Sequence, residues 1–486
     1  MTEPTRGPWL SSLELLGFVV LVLAVVLTIH AVLYKRDERA AVAWVAVIWL
    51  APMVGPIAYL LLGINRIRRR ASRLRPDRDI RPPSEEARRQ GHDSLVRALA
   101  EEAPHLQQIA TLGDQVSHAP LTPGNRVTPL VNGEAAYPAM IEAIDQARRS
   151  VALATYIFND DEVGKLFVEA LGSAVDRGVE VRVLIDGVGS YYSWPPIVPT
   201  LQRRGVRVGR FLHSLQPWRM PFLNLRNHQK ILVTDGRSGF TGGMNIKRAH
   251  LVEKAGEAAV QDLHFEIDGP VVAHLMEAFA DDWAFTTGEG LQGERWFPPI
   301  EPCGPVVARG IPSGPDEDYE KLRWILLGAL ATARRSVKVV TPYFLPDQTL
   351  VSALGVAAMS GVAVDIVIPE RSNLVFIDWA AIARLEEVLK GGARLWVTPP
   401  PFDHSKMVVV DDLWSLIGSA NWDPRSFRLN FELNVECFDP ALATALDKLV
   451  QEKIAKAQPL TLAEVTGRSL PVKLRDGIAR LFTPYL

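Results

Sequence analysis

A stretch of about forty residues occurs twice, and that duplication limits the chain to architectures that hold two like units side by side. One copy reads ARRSVALATYIFNDDEVGKLFVEALGSAVDRGVEVRVLID from Ala147, the other ARRSVKVVTPYFLPDQTLVSALGVAAMSGVAVDIVIPE from Ala333. Each contains a helix tail, an apolar strand (VALATYIF; VKVVTPYF), an amphipathic helix, a glycine turn and a second β-branched strand (VEVRVLI; VAVDIVI). Strands apolar along nearly their whole length, alternating with helices, suit a sheet covered on both faces. The expected fold is therefore α/β: two tandem α/β/α modules related by a pseudo-two-fold axis, with any shared site at their junction. The modules are expected over 122–300 and 301–486, with a Gly- and Pro-rich bridge around 286–318.

Ahead of the modules, residues 15–34 and 40–65 carry no Asp, Glu, Lys or Arg. A bilayer core of about 30 Å needs roughly 20 helical residues, and both runs are that long. A cleaved signal peptide fits the first run poorly, because its start is weakly basic and a second apolar run follows at once. Residues 1–75 are thus expected to form a transmembrane helical hairpin, its second span kinked or partly re-entrant at Pro52, Gly55 and Pro56. The link holds Lys35, Arg36, Asp37, Glu38 and Arg39, whereas Arg66, Arg68, Arg69, Arg70, Arg73, Arg75 and Arg78 follow the second run. The positive-inside rule then places the C-terminal modules in the cytoplasm. Residues 76–121 read as a charged linker entering a short helix.

The charge balance, 53 Lys plus Arg against 55 Asp plus Glu for a net −2, argues against a nucleic-acid partner. Two cysteines, Cys303 and Cys437, make no disulfide framework, and no ligand spacing suggests a metal or another cofactor.

Each module carries the pattern His-x-Lys-x-x-x-x-Asp: His228, Lys230 and Asp235 in HQKILVTD, and His404, Lys406 and Asp411 in HSKMVVVD. In a strand, residues i and i+2 share a face, so each His travels with its Lys. An apolar strand that presents both, twice, has no purely structural use for two cations. Two imidazoles and two ammonium groups around one point suit phosphodiester exchange. One imidazole attacks phosphorus, the other protonates the departing oxygen, and the ammonium groups neutralise the equatorial oxygens. Asp235 and Asp411 complete the motif as candidates, although their opposite parity and hairpin setting also fit turn and scaffold residues. Asn245 in GGMN and Asn421 in GSAN are candidates to bond phosphoryl oxygens. Asp262 and Glu432 are candidates to orient the imidazoles through the second ring nitrogen. The remaining histidines, His105, His118, His213, His250 and His264 among them, lack the repeated context and are expected at the surface or in packing.

These residues resemble the phospholipase D superfamily and, within it, bacterial cardiolipin synthase, through the paired N-terminal apolar runs, the TYIF strand, HxK followed by GGMN, and GSANWDPRSFRLNFELN from Gly418 to Asn434. The first-half tail departs from the pattern, with Gln261-Asp262 where an Arg-Asp pair is expected. The resemblance implies that two phosphatidylglycerol molecules give cardiolipin and glycerol without a metal, at a multi-pass protein of the bacterial inner membrane. It also implies that His228 is the nucleophile and His404 the acid and base, an order the symmetric motifs do not show by themselves. Water as acceptor would make the same residues a hydrolytic phospholipase D, and a lipid-binding protein without turnover is the non-enzymatic alternative. The C-terminal LPVKLRDGIARLFTPYL groups Leu474, Ile478, Leu481 and Phe482 with Lys473, Arg475 and Arg480. It reads as a helix packed on the modules, or as a basic helix at the membrane surface.

Overall fold

The computed structural model describes residues 8–35, 38–63, 85–99, 104–117, 119–212, 225–316, 318–481 and 483. Arg36, Asp37, the arginines from Arg66 to Arg78, His118, His213, Phe482 and the final PYL lie outside them. The chain divides into two compact units, Met1–Arg73 and Leu74–Leu486.

In the first unit, α1 (Pro8–Tyr34) contains an apolar stretch, Glu14–Tyr34, long enough to cross a membrane. The second apolar run is interrupted in the stretch that holds Pro52, Gly55 and Pro56. Its helix α2 (Glu38–Leu50) stops after 13 residues, and at 1.5 Å per residue it covers only about 20 Å. The chain turns over Ala51–Val54, where Pro52 supplies no N–H for another helical bond, and resumes as short helical turns over Gly55–Gly63. Ala24, Leu27 and Ala31 of α1 pack with Ile48 and Tyr59 of this broken segment. Phe18, Val22, Val26, Ile29 and Leu33 of α1 remain exposed.

The second unit is built on a sheet of duplicated halves. The first half runs β1 (Thr122–Val131), α3 (Asn132–Gln146), β2 (Ser150–Thr155), α4 (Glu162–Asp176), β3 (Glu180–Asp186), β4 (Arg207–Phe211), β5 (Arg226–Asn227), β6 (Ile231–Thr234), β7 (Ser238–Gly242), β8 (Val260–Gln261), β9 (Leu263–Asp268) and α5 (Val272–Thr287). The second runs β10 (Val306–Ser313), α6 (Lys321–Thr332), β11 (Ser336–Val340), α7 (Gln348–Met359), β12 (Ala363–Pro369), α8 (Val375–Lys390), β13 (Arg394–Thr398), β14 (Phe402–Asp403), β15 (Met407–Val410), β16 (Trp414–Gly418), β17 (Asn430–Phe438), α9 (Pro440–Lys456), β18 (Gln458–Leu460) and α10 (Leu470–Leu481).

The strand order is β18-β13-β12-β11-β15-β16-β17-β10-β1-β9-β7-β6-β2-β3-β4. Reading outward from the antiparallel β1–β10 pair, both halves repeat one sequence of strands. The repeated apolar strands β2 and β11 each pair in parallel with the strand that follows their helix. All six residues of β2 are buried, as expected of a strand covered on both faces. Side chains of both halves share one core: Phe265, Ile267 and Leu275 pack in the same cluster as Val409, Leu433 and Val435.

The stretch that reads as a charged linker holds two helices, Glu85–Leu99 and Gln107–Val116. Their Leu95, Ile109 and Ala110, with Leu106 between them, are fully buried in the core of the second half beside Leu322 and Ile325. A few well-spaced apolar residues place these helices against the sheet despite the polar composition around them.

Candidate active site

The site arises from an exchange between the halves. Strand β5 of the first half pairs in parallel with the start of β17, Arg226 opposite Asn430 and Asn227 opposite Phe431. Strand β14 of the second half pairs in the same sense with β8, Phe402 opposite Val260 and Asp403 opposite Gln261. The next residue on each donor strand is a motif histidine, whose N–H continues the ladder. His228 N–H donates to the Phe431 carbonyl at 2.9 Å, and His404 N–H to the Gln261 carbonyl at 2.7 Å. The next residue on each receiving strand is a carboxylate, Glu432 or Asp262.

Each imidazole therefore meets a carboxylate from the opposite half. His228 Nδ1 lies 2.9 and 3.1 Å from the two oxygens of Glu432, and His404 Nδ1 lies 2.7 Å from Asp262 Oδ2. An imidazole whose Nδ1 faces a carboxylate keeps its proton there, which leaves Nε2 with the lone pair. Lys230 and Lys406 are 2 % and 4 % exposed. Each Nζ donates to the carbonyl of its own motif histidine, Lys230 to His228 at 2.7 Å and Lys406 to His404. The Lys230 ammonium also sits 5.7 Å from the Tyr156 ring centroid.

Burial sets the proton affinities. It lowers Lys230 to about 7, with Glu432 opposing and Lys406 adding to the effect, and Lys406 to about 8, with Asp262 and Glu432 opposing. Burial also lowers His228, and it takes His404 well below the usual histidine range, with Lys406, Lys247 and Lys230 adding to the effect. The carboxylates differ. Burial acts to raise Glu432, but His228, Lys230 and Ser419 outweigh it and hold the group low. Its oxygens also receive Ser419 Oγ at 2.6 Å, Ser426 Oγ at 2.8 Å and Asn430 Nδ2 at 3.0 Å. Asp262 has His404 and, at 2.8 Å, its neighbour's Leu263 N–H, and burial leaves it raised.

Asp235 and Asp411 hold backbone N–H groups rather than the imidazoles. Asp235 accepts from the backbone N–H groups of Arg148, Arg149 and Ser150, at 2.7 Å for Arg149. Asp411 does the same for Arg334, Arg335 and Ser336, and it also meets His105 Nε2 at 2.7 Å. Both have φ of +53° at the hairpin turn. They tie the repeated ARRS segment to the end of the motif strand, away from the imidazoles. Asn245 spends its side-chain oxygen on Ile157 N–H at 3.1 Å, so its NH2 is the group left to donate. Asn421 sits in the same wall as Lys406 with its side-chain oxygen buried and unpartnered, while its amide bonds Asp423.

Several neighbours escaped the motif reading. Tyr156 lies 5.2 Å from the His228 ring, and Tyr343 lies 6.3 Å from the His404 ring. They stand one position apart in the two repeats (TYIF and TPYF), so aligning the copies does not pair them. His250, fully buried, lies 6.5 Å from the His404 ring with Nδ1 on the Val260 carbonyl. Lys247, like His250, has no counterpart of its type in the second half, so duplication could not flag it.

The family model for the cardiolipin synthase, PLD-like domain matches residues 140–283 and 326–454, and the phospholipase D-nuclease N-terminal model matches residues 22–63. Cardiolipin synthase A of Pseudomonas putida is 33% identical over 97% of this chain and 97% of its own. The major cardiolipin synthase ClsA of Bacillus subtilis is 31% identical over 93% of this chain and 95% of its own. The crystal structure of phosphatidylserine synthase from Haemophilus influenzae shares the fold, with a TM-score of 0.61 and 14% identity over 78% of this chain and all of that one. A duplicated α/β unit with crossed His–carboxylate pairs, matched along almost its whole length, makes this chain a member of the bacterial cardiolipin synthases of the phospholipase D superfamily, a phosphatidyltransferase of that type.

Proposed function

We propose that the enzyme transfers a phosphatidyl group from one phosphatidylglycerol to another, forming cardiolipin and releasing glycerol through a phosphohistidine on His228. The observation that carries this reading is the reciprocal pairing of His228 with Glu432 and His404 with Asp262 around two buried lysines. His228 Nε2 forms a bond to phosphorus as the bond to the glycerol oxygen breaks, and His404 gives its Nε2 proton to that oxygen. The terminal hydroxyl of the second lipid then loses its proton to His404 while its oxygen displaces His228. Two inversions give retention at phosphorus. Glu432 stays ionised beside His228 and stabilises the cationic phosphohistidine. Lys230 and Lys406 neutralise the equatorial oxygens. The phosphodiester anion also raises the proton affinity of His404, offsetting the burial that lowers it.

The N-terminal unit fits a membrane anchor: α1 crosses the bilayer, and the broken segment after it completes a hairpin or re-enters the same leaflet. The arginines from Arg66 to Arg78 favour placing the catalytic unit on the cytoplasmic side of the bacterial inner membrane.

The test uses the purified full chain with phosphatidylglycerol in detergent micelles. Cardiolipin and glycerol in equal amounts are expected. Phosphatidic acid as the main product would make the enzyme a hydrolase, and no product would leave only lipid binding. His228→Ala and His404→Ala should each abolish turnover while the protein stays in the membrane fraction.

A further inference from the structure

The C-terminal helix α10 has two faces of different character. Its inner face buries Asp476 and Ala479, and Ala479 joins a cluster with Tyr343, Ile377, Ala380 and Ala381. Arg475 stacks on Trp379 of α8, 4.3 Å from the ring. The outer face presents Leu470, Leu474, Ile478 and Leu481, exposed by 79, 63, 48 and 72%. At 3.6 residues per turn these four fall within about 80° of arc, a continuous apolar stripe. Lys473 and Arg480 border it on one side. Within α10 three basic residues stand against one acidic residue, and that one, Asp476, is engaged by Arg468 and Arg475.

We propose that this stripe is the surface by which the catalytic unit rests in an anionic lipid bilayer, seating the site at its substrate. A water-facing row of four leucine and isoleucine side chains is costly, whereas an interfacial helix buries such a row beneath headgroups and sets its cations among the phosphates. The chain as a whole carries −2, so this helix is more basic than the chain average. Position supports the same occupant. Ala479 packs in the cluster of Tyr343, and the Tyr343 and Phe402 rings lie 6.3 and 5.9 Å from the ring of His404. The body of α10 and one layer of side chains, Tyr343 and Phe402, thus separate the stripe from a reacting imidazole. The first half has a matching rim. Tyr192, 63% exposed, lies with its ring tilted 6.1 Å from Tyr156, which in turn lies 5.2 Å from His228, and Trp194 two residues on is 91% exposed.

This inference rests on the phosphatidyl-transfer reading, and the test separates the two. The full chain with Cys303→Ser and Leu474→Cys carries a nitroxide at position 474, since the other cysteine, Cys437, is buried. In vesicles of phosphatidylglycerol and phosphatidylcholine, the label is expected to be accessible to oxygen and shielded from a water-soluble nickel chelate. Full nickel access would overturn the proposal. Shielding from both reagents with spin–spin broadening would overturn it in favour of a second copy on this face. In parallel, L474E/I478E should lose at least tenfold in cardiolipin formation from vesicles, yet stay within twofold of the parent on short-chain phosphatidylglycerol dispersed as monomers. Equal losses on both substrates would contradict docking. Absence of cardiolipin from the parent itself would defeat the transfer reading, while the label still reports on the membrane.

Discussion

Lys230 is a cation held where its charge is disfavoured, so replacing it should strengthen the fold while destroying the site. The perturbation is Lys230→Met, which keeps an unbranched stem out to the ε atom and removes the ammonium. Burial brings the lysine from 10.5 to about 7. At about 1.4 kcal/mol per unit, the charged form costs on the order of 5 kcal/mol in the native state. The variant also gives up the bond to the His228 carbonyl, about 1 kcal/mol. The net expectation is a gain of about 4 kcal/mol. Spread over roughly 400 residues at about 2 cal/mol/K each, that raises the midpoint by about 5 °C. Below pH 7 the lysine is charged in both folded and unfolded chains, so the cost is fully present. Between pH 7 and 10.5 the native protein sheds the proton first, so the gap between parent and variant narrows as pH rises. Thermal unfolding of the full chain in detergent at pH 6 and pH 9 measures both effects, and turnover should fall at least a hundredfold. A variant less stable than the parent at pH 6, or a gap that widens with pH, would refute the reasoning.

Three further outcomes are expected. Asp235→Ala leaves three backbone N–H groups without their acceptor, so stability should drop by about 2–3 kcal/mol, with kcat of the folded protein kept within a few-fold; loss comparable to His228→Ala would return Asp235 to the reacting set. Glu432 has three donors besides His228 and Asp262 has one besides His404, so Glu432→Gln should lower the unfolding midpoint more than Asp262→Asn, although both should depress kcat; the reverse order of midpoints would contradict the asymmetry. Sulfate, whose charge is fixed above pH 3, should inhibit less as pH rises through 7 to 8, where Lys230 and then Lys406 lose their protons; inhibition that is flat or tightens across that range would count against charged lysines as the anion site.

The motif and its repetition made the doubled α/β architecture legible, because apolar strands and a helix period leave their mark in local sequence. The crossing of the halves did not. Nothing in HQK or HSK says that β5 leans on β17 and β14 on β8, since those pairings join residues about 200 and 140 positions apart. Asp262 and Glu432 stood out by position, but the exchange that hands each to the other half's histidine is tertiary. The motif aspartates show the opposite situation: parity already set Asp235 and Asp411 apart, and the backbone N–H groups they hold explain their place. The helix carrying Ile109 hid in a charge-rich stretch because three or four buried residues suffice to dock it. The second apolar run met a length criterion and also carried Pro52, and α2 ends two residues before that proline.

The account turns on His228 forming a bond to phosphorus. A phosphatidyl ester of p-nitrophenol needs no proton on its leaving group, so His404→Ala should still react with it once. Rapid mixing should release one nitrophenolate per chain, and mass spectrometry after an alkaline quench should find the phosphatidyl adduct on the peptide containing His228. An adduct on any other residue, or a burst that persists in His228→Ala, would contradict the mechanism.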